Sequence, residues 1–328
     1  MSVIKAIIFK RETALAVVLF ALIAGFGLTV DGFLDPFSIF ERSRYWVVAG
    51  LIAVPMTFVI ATAGIDLSVG SIVALSSIVM GMLYRDAGAP MWIAAVCAVL
   101  TGMAAGAMNG GVLGFVGVPP LVVTLATMAL FRGLAMGLSK ADPISSFPPG
   151  FLSISHGDAF QIPLGGQYPV FFPAPLIPML VAFLIGMVLL RKSWAGRYTE
   201  AIGENETAAR FAAIDVRWVK MAIYTACGTV CGIAALFHTA LFATAKADTA
   251  VGLELEVIAC VVVGGTRISG GDASVFGSLL GLLIIGILRY GLDKAGVESQ
   301  NIVIVVGLLL IATVVFNERM ALRRGGRT

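Results

Sequence analysis

The chain has 328 residues, of which 59% are hydrophobic and only 12% are charged, and its formal net charge is +3. A soluble domain is roughly 45–50% apolar and about 25% charged. This chain therefore has too few polar residues to cover a water-facing surface, which excludes a soluble globular protein. The composition predicts an all-α, polytopic membrane protein, because helices satisfy their own backbone hydrogen bonds inside a bilayer.

The apolar segments, taken in chain order, predict the number of membrane crossings. A helix needs about 20 apolar residues to span a bilayer. The segments that approach this length are 13–30, 45–63, 67–84, 91–109, 119–139, 171–190, 218–243, 274–292 and 300–317. A further segment, 255–273, joins a short apolar run to the stretch GGTRISGGDAS, so we expect a broken or re-entrant helix there. We therefore predict about ten transmembrane segments in a single transmembrane domain, residues 1–328.

The N-terminal sequence has a basic start and an apolar run, as a secretory signal peptide does, but no small-x-small cleavage motif follows. We expect an uncleaved first span. Most Lys and Arg residues fall on the side that holds both termini, which predicts cytoplasmic termini. Residues 140–170 then form a periplasmic loop, whose Pro and Gly content predicts an irregular cap or short hairpin rather than a helix. Residues 191–217 form a long cytoplasmic loop.

The cytoplasmic loop contains the stretch GENETAARFAAI, which is too polar to insert and has a helical pattern. Asn205 is a favourable N-cap residue, and Glu206 lies in the first turn, where the helix dipole favours a negative charge. Ala208, Ala209 and Ala212 leave one face small, which suits docking into a groove of another protein. An ordinary surface helix between two spans is the alternative.

Four stretches resemble bacterial ABC importer permeases of the ribose and simple-sugar family, which includes autoinducer-2 permeases. They are AGIDLSVGSIVALSS, NGGVLGFVGVPPLVVTLATMALFRGLA, AIGENETAARFAAIDV and EVIACVVVGGTRISGGDASVFGSLLG. The resemblance extends over about residues 13–317, and the motifs occur in the family's order. The chain departs from the family at Ala213, where Gly is usual, at Asp215, where Asn is common, and at Asp272–Ala273, which replace a basic-Gly pair.

The resemblance implies a permease subunit that moves a simple sugar or sugar-like small molecule through the bacterial inner membrane into the cytoplasm. It implies cytoplasmic ABC ATPase subunits, a periplasmic substrate-binding protein and a second permease subunit, identical or different, as partners. No nucleic-acid partner is expected. The chain lacks a GxxxxGK[ST] loop, so ATP and Mg would be bound by the partner ATPase and no cofactor by this chain. The residues assigned to ATPase coupling are Gly203, Asn205, Glu206, Ala208, Ala209 and Arg210.

Asp66 is a carboxylate between two apolar runs, where an ionised Asp costs about 2.5–3.5 kcal/mol on insertion scales. Gly64 can end the preceding helix, and Asp66 or Ser68 can cap the next one by accepting from a free amide. This capping explains the carboxylate without any role in transport. Alternatively, the break places Asp66 and Ser68 on the transport pathway or at its gate, and both descriptions can hold.

Three further polar residues are candidates for the pathway. Asn109 and Thr124 offer neutral hydrogen bonds that suit a polyol, although such residues also bond helix to helix. Arg132 lies near the end of its span, where it either clamps a cargo hydroxyl or extends its charge towards the interface.

Other functions remain open on the sequence alone. A stand-alone secondary transporter is one, although no buried Asp, Glu or His relay favours proton coupling. An ABC permease for branched-chain amino acids is another, whose charged cargo would favour a charge pair in the pathway, and the sequence reveals none. No nucleophile and base converge and no ligand set has metal spacing, so we expect no catalytic residues, no metal site and no enzyme activity.

Overall fold

The structure is a computed structural model that describes residues 2–163 and 169–325, with side chains described for 11–163, 169–313 and Val315. Helices dominate this part of the chain. The first half contains α1 Ser2–Thr29, α2 Pro36–Ser43, α3 Trp46–Ala61, α4 Val69–Arg85, α5 Met91–Gly111, α6 Pro120–Ser139 and α7 Pro149–His156. The second half contains α8 Leu176–Lys192, α9 Trp194–Glu204, α10 Glu206–Phe211, α11 Val216–Phe242, α12 Leu253–Val263, α13 Val275–Lys294 and α14 Ser299–Gly325.

Within the described residues, five helical stretches are long and apolar enough to cross a membrane. They are Arg11–Thr29, Met91–Val116, Pro120–Ser139, Val216–Phe242 and Val275–Lys294. The number rises to seven if the pairs α2–α3 and α8–α9, bent by 53° and 69°, each count as one span. Helix α4 and residues Ser299–Thr313 are apolar but shorter. The chain is thus a helical membrane protein, and the predicted ten crossings are not reached on this criterion.

The centre of the bundle consists of α3, α4 and α12. Helix α3 is buried on almost every side, and the last turns of α12, from Val257 to Val263, are also buried. A helix that is apolar all round belongs in a core rather than on a surface. Helices α1, α5, α6, α8 and α14 surround this centre and expose apolar side chains outward, as lipid-facing helices do.

Glycines bring α5 and α11 together. Gly102 and Gly106 of α5 face Gly228 and Gly232 of α11 so closely that a Cβ at any of them would collide with the opposite backbone. Without a hydrophobic driving force inside lipid, such small residues let helices associate through close backbone packing. The two helices therefore form one continuous seam through the bundle.

The loop 140–170 differs in part from the expectation. The expected hairpin is present, as strands β1 Asp158–Ile162 and β2 Val170–Pro173 pair antiparallel, while 164–168 lie outside the described residues. However, the exclusion of helix was wrong, because α7 begins at Pro149. Proline suits a first helical position, where its missing amide has no partner to lose. We call this end of the bundle the hairpin end.

Arg44 fastens this loop to the bundle. Its buried guanidinium donates to the carbonyl oxygens of Ser155 and Gly157 at 2.9 and 3.0 Å and to the Asp158 carboxylate at 2.6 Å. A charged donor with several fixed acceptors holds its partners in one geometry. The junction of α7 and β1 is thus tied to the start of α3.

Candidate functional site

The α9–α10 segment lies at the end of the bundle opposite the hairpin. Asn205 ends α9 and caps α10, and its Oδ1 accepts from the Ala208 amide at 2.9 Å, as the sequence predicts. Glu206 is the first residue of α10, where it faces the positive end of the helix dipole. The predicted short helix is therefore present, with the predicted cap.

Two cations share the Glu206 carboxylate. Oε1 accepts from Arg210 at 2.6 Å, and Oε2 accepts from Lys220 at 2.7 Å. Burial raises the pKa of Glu206, but the hydrogen bonds from Lys220 and Arg210 outweigh it and hold the pKa below its usual range. Because Lys220 belongs to α11, this cluster fixes α10 to the first turns of a spanning helix.

The three alanines of α10 and its C-terminal end do not share one exposed face, as the sequence suggested they would. Ala208 and Ala212 are exposed, but Ala209 is buried against Ile202 and Val216 and so holds α10 onto the protein. Phe211 is 88% exposed at the end of the helix. Sequence reasoning missed Phe211, although an aromatic residue in an otherwise polar segment was the available signal.

Gly203 connects the α9–α10 segment to two interruptions in the bundle. A Cβ at this position would overlap the Ala61 carbonyl oxygen, at the end of α3, and the Gly271 amide. Ala61 and Gly271 are themselves joined, because the Gly271 amide donates to the Ala61 oxygen at 3.0 Å. Gly203 therefore packs where the end of α3 meets the irregular segment 264–274.

Four of the five predicted pathway residues come together beside the end of α3. Asp66 Oδ1 accepts from the Ser68 amide at 2.9 Å and from its hydroxyl at 2.6 Å. Asn109 Nδ2 donates to the Ser68 hydroxyl at 2.8 Å, and Thr124 donates to the Ile65 carbonyl at 3.0 Å. We call Asp66, Ser68, Asn109 and Thr124 the break cluster. It joins the segment between α3 and α4 to α5 and α6.

The break cluster is closed in this structure. Its four side chains are fully buried, so they do not touch a pathway open to water. Asp66 Oδ2 and Asn109 Oδ1 have no hydrogen-bond partner among the described residues, nor has the hydroxyl of Tyr224. That hydroxyl would lie 2.5 Å from a Cβ at Gly64, two residues before Asp66. Leaving a buried polar group unpaired costs free energy. The break cluster therefore contains polar atoms that can form further hydrogen bonds.

Arg132 lies apart from the break cluster. Its guanidinium donates to the carbonyl oxygens of Ala247 and Thr249 at 2.7 and 2.6 Å. These bonds join α6 to the segment between α11 and α12. In this arrangement Arg132 holds two parts of the protein together.

A cavity of about 660 Å³ opens towards the hairpin end, between the ends of α3, α11, α12, α13 and α14. Its polar wall includes Glu256 and Arg289, which form an ion pair at 2.9 Å. The sequence alone did not reveal this pair. Glu256 is on α12 and Arg289 on α13, so only the packing of these two helices brings them together.

Other chemistry is not assembled in the part of the chain that the structure describes. There, no three His, Cys, Asp or Glu side chains converge as metal ligands. Cys227 and Cys231 are free thiols, buried where α11 faces the bundle.

Comparisons with known proteins identify a family and relatives of this chain. Residues 38–314 match the family described as "Branched-chain amino acid transport system / permease component". The chain is 38% identical over 302 residues to the ribose import permease protein RbsC of Bacillus subtilis, covering 92% of this chain and 91% of the relative. It is 35% identical over 317 residues to the autoinducer 2 import system permease protein LsrD of Yersinia enterocolitica, covering 94% and 92%.

The LsrD protein of Escherichia coli K12 is 33% identical over 310 residues, covering 93% of this chain and 91% of the relative. No solved structure matches the chain significantly. The family match covers well over half of the chain, and the relatives align along nearly their whole length. The chain belongs to this family of transport-system permease components, and is a part of a membrane transporter rather than an enzyme.

Proposed function

We propose that the chain is the membrane-spanning subunit of an ATP-binding cassette importer that moves a simple sugar or sugar-like small molecule into the bacterial cytoplasm. The observation that carries this proposal is the 38% identity to a ribose import permease over 92% of the chain. The LsrD relatives are named for import of autoinducer 2, which is why the proposal includes sugar-like molecules. The family description names branched-chain amino acids, but the relatives at 33–38% identity are named for ribose and autoinducer 2.

The proposed topology places the α9–α10 end in the cytoplasm, with both chain termini, and the hairpin end outside the inner membrane. Residues 191–217 are then the cytoplasmic coupling loop, and residues 140–170 the periplasmic loop of one permease domain. Short and bent helices bring the number of transmembrane segments to about ten. The excess of Lys and Arg towards the α9–α10 end supports this orientation.

The proposed contact between the permease and its ATPases is the α9–α10 segment. ATP and Mg are bound by cytoplasmic ATPase subunits, which grip α10 at Phe211, Ala208 and Arg210. Asn205 and Glu206 keep this helix formed and attached to α11. An exposed aromatic side chain on a short helix is the kind of anchor that fills a pocket in a partner.

The proposed transmission runs through Gly203. Movement of α9 presses on Ala61 and Gly271, because no side chain separates the three backbones. Ala61 leads directly into the break that carries Asp66, so the break cluster is placed to open when the ATPases close. Interrupted helices that line a pathway only in some states are typical of transporters.

The test is reconstitution of the permease in liposomes with its ATPase and substrate-binding protein. We expect D-ribose uptake that needs ATP and both partners, and no uptake of L-leucine. Uptake without the ATPase would make the protein a secondary transporter, and uptake of leucine alone would make the cargo an amino acid. Either result would overturn the proposal.

A further inference from the structure

The cavity at the hairpin end has a mixed polar and apolar wall, and none of the predicted site residues lines it. Its volume of about 660 Å³ falls within the range of small-molecule sites, which is about 300–1,000 Å³. Apolar side chains of α14 line it together with residues of α12 and α13. A mostly apolar recess with a few polar groups is the usual composition of such a site.

The charges in the cavity cancel. Arg289 pairs with Glu256, and Arg42 pairs with Asp293, so each of these two guanidinium groups already faces a carboxylate. An anionic ligand, such as the headgroup of an acidic lipid, would have to displace one of these carboxylates. A neutral ligand would not, because hydroxyl groups can donate to the carboxylates and accept from the guanidinium groups together.

The accessible polar groups of the cavity are those of the ion pair. The Arg289 and Glu256 side chains are 37% and 21% exposed, whereas Arg289 Nε and His238 Nδ1 have no partner among the described residues and are shielded from solvent. A guanidinium beside a carboxylate supplies donors and acceptors together, which suits a molecule with several hydroxyl groups.

Aromatic rings complete the wall. Tyr45 and Phe242 pack edge to face with ring centroids 6.1 Å apart, and both rings line the cavity. The guanidinium of Arg42 lies 5.5 Å from the centre of the Tyr45 ring, and half of the Tyr45 side chain is exposed. Aromatic faces pack well against the C–H surfaces of a ligand whose polar groups point elsewhere.

We propose that this cavity is a cargo-binding site for a neutral, hydroxyl-rich sugar, held by the Glu256–Arg289 pair and the Tyr45 ring. It lies on the proposed outer side, so it would receive the sugar before the break cluster opens. The inference rests on the proposed function and adds to it a place where the sugar binds within one permease.

Protection of an introduced cysteine tests the site directly. Ser299 lines the cavity and is exposed, so Ser299→Cys should react readily with a thiol reagent. The half-buried native Cys97 is replaced by Ser to remove background, since the other three cysteines are buried. We expect D-ribose to slow alkylation of Ser299→Cys several-fold and L-leucine to leave it unchanged. The matched control is Ser153→Cys, an exposed position on α7 that does not line the cavity and should not be protected.

Transport variants give a second measurement. The double variant Glu256→Gln/Arg289→Gln removes both charges together, so no unpaired buried charge remains, and should lower the D-ribose uptake rate about tenfold, as expected for one or two lost hydrogen bonds. Gly307→Phe should block the cavity, because a Cβ at Gly307 meets no atom within 4 Å and the added ring has room. Gly137→Phe on α6, equally open but away from the cavity, is its control.

The outcomes separate this inference from the proposed function. If the wild-type system takes up D-ribose without the ATPase, or takes up L-leucine alone, the proposed function fails. If it takes up D-ribose but the sugar protects no cysteine and both transport variants act as the wild type does, the cavity is not the sugar site. Protection by leucine alone, or reactivity that rises only when phospholipid is extracted, would assign the cavity to an amino acid or a lipid and would overturn the inference.

Discussion

Phe211 stands almost completely exposed at the end of α10, while Ala209, two residues earlier, is buried. The difference arises because one face of the short helix packs on Ile202 and Val216 and the other faces away from the protein. The same contrast separates Asp66, whose carboxylate is enclosed, from Arg210, which is exposed beside Glu206. Exposure, rather than residue type, therefore decides which of the predicted positions can meet a partner.

Phe211→Ala should weaken binding of the permease to its ATPase by about 30-fold, which corresponds to about 2 kcal/mol, the size of an interface hot spot. Folding should be unaffected, because the ring is 88% exposed and contributes little to the core. The measurement is the Kd between detergent-purified permease and ATPase. Phe160→Ala at the hairpin end removes another exposed ring and should leave this Kd unchanged. If the Phe211 variant and the wild type bind the ATPase with equal Kd, the ring does not contribute to ATPase binding.

At the scale of elements, several helices of the bundle end close to one another. Helix α3 ends at Ala61, α9 ends at Glu204, and α12 ends at Val263. Gly203 lies at the end of α9 and Gly271 in the irregular segment 264–274 that follows α12, and both backbones meet Ala61. Rigid elements joined through such close contacts shift together rather than deform. A displacement of α9 therefore reaches the end of α3 and the segment 264–274 directly.

Gly203→Val should separate ATPase binding from ATPase coupling. The valine side chain cannot fit beside the Ala61 oxygen, so α9 must move away from the end of α3. We expect the variant to insert and to bind the ATPase, but to lose cargo-stimulated ATP hydrolysis in the reconstituted complex. Gly133→Val on α6 has open space at its Cβ and should keep full stimulation. Normal stimulation in Gly203→Val would remove this contact from the coupling route.

At the scale of the whole molecule, the bundle has two unlike ends. The hairpin end carries α7, the β1–β2 hairpin and the cavity, and the opposite end carries the α9–α10 segment. The family and the relatives establish a transport permease, and the distribution of Lys and Arg is the basis of the orientation proposed for these ends.

Cysteine labelling in intact cells should determine the orientation. A cysteine at Thr207, which is exposed on α10, should react only with reagents that cross the inner membrane. A cysteine at Gln161 on β1 should react with impermeant reagents as well. The reverse pattern would invert the topology and would exclude an ATPase contact at Phe211. The parent should carry Cys97→Ser, because the other native thiols are buried.

Local features could be predicted from the sequence, and contacts between distant segments could not. The Asn205 cap and the hydrogen bond from Ser68 to Asp66 need only neighbouring residues, so the spacing predicted both. The Glu256–Arg289 pair depends on how α12 packs against α13, and no local pattern contains that information. Helix α7 was missed because Pro and Gly are usual in loops, although Pro at a helix start is also favourable.

The glycine seam between α5 and α11 limits which motions a transport cycle can use. Where two backbones touch without intervening side chains, neither helix can slide or rotate without losing contact along the whole interface. These two helices should therefore move as one rigid unit throughout the cycle. The rearrangement that admits and releases cargo must then be accommodated elsewhere, such as in the non-helical segment between α3 and α4 and at α14 beside the cavity.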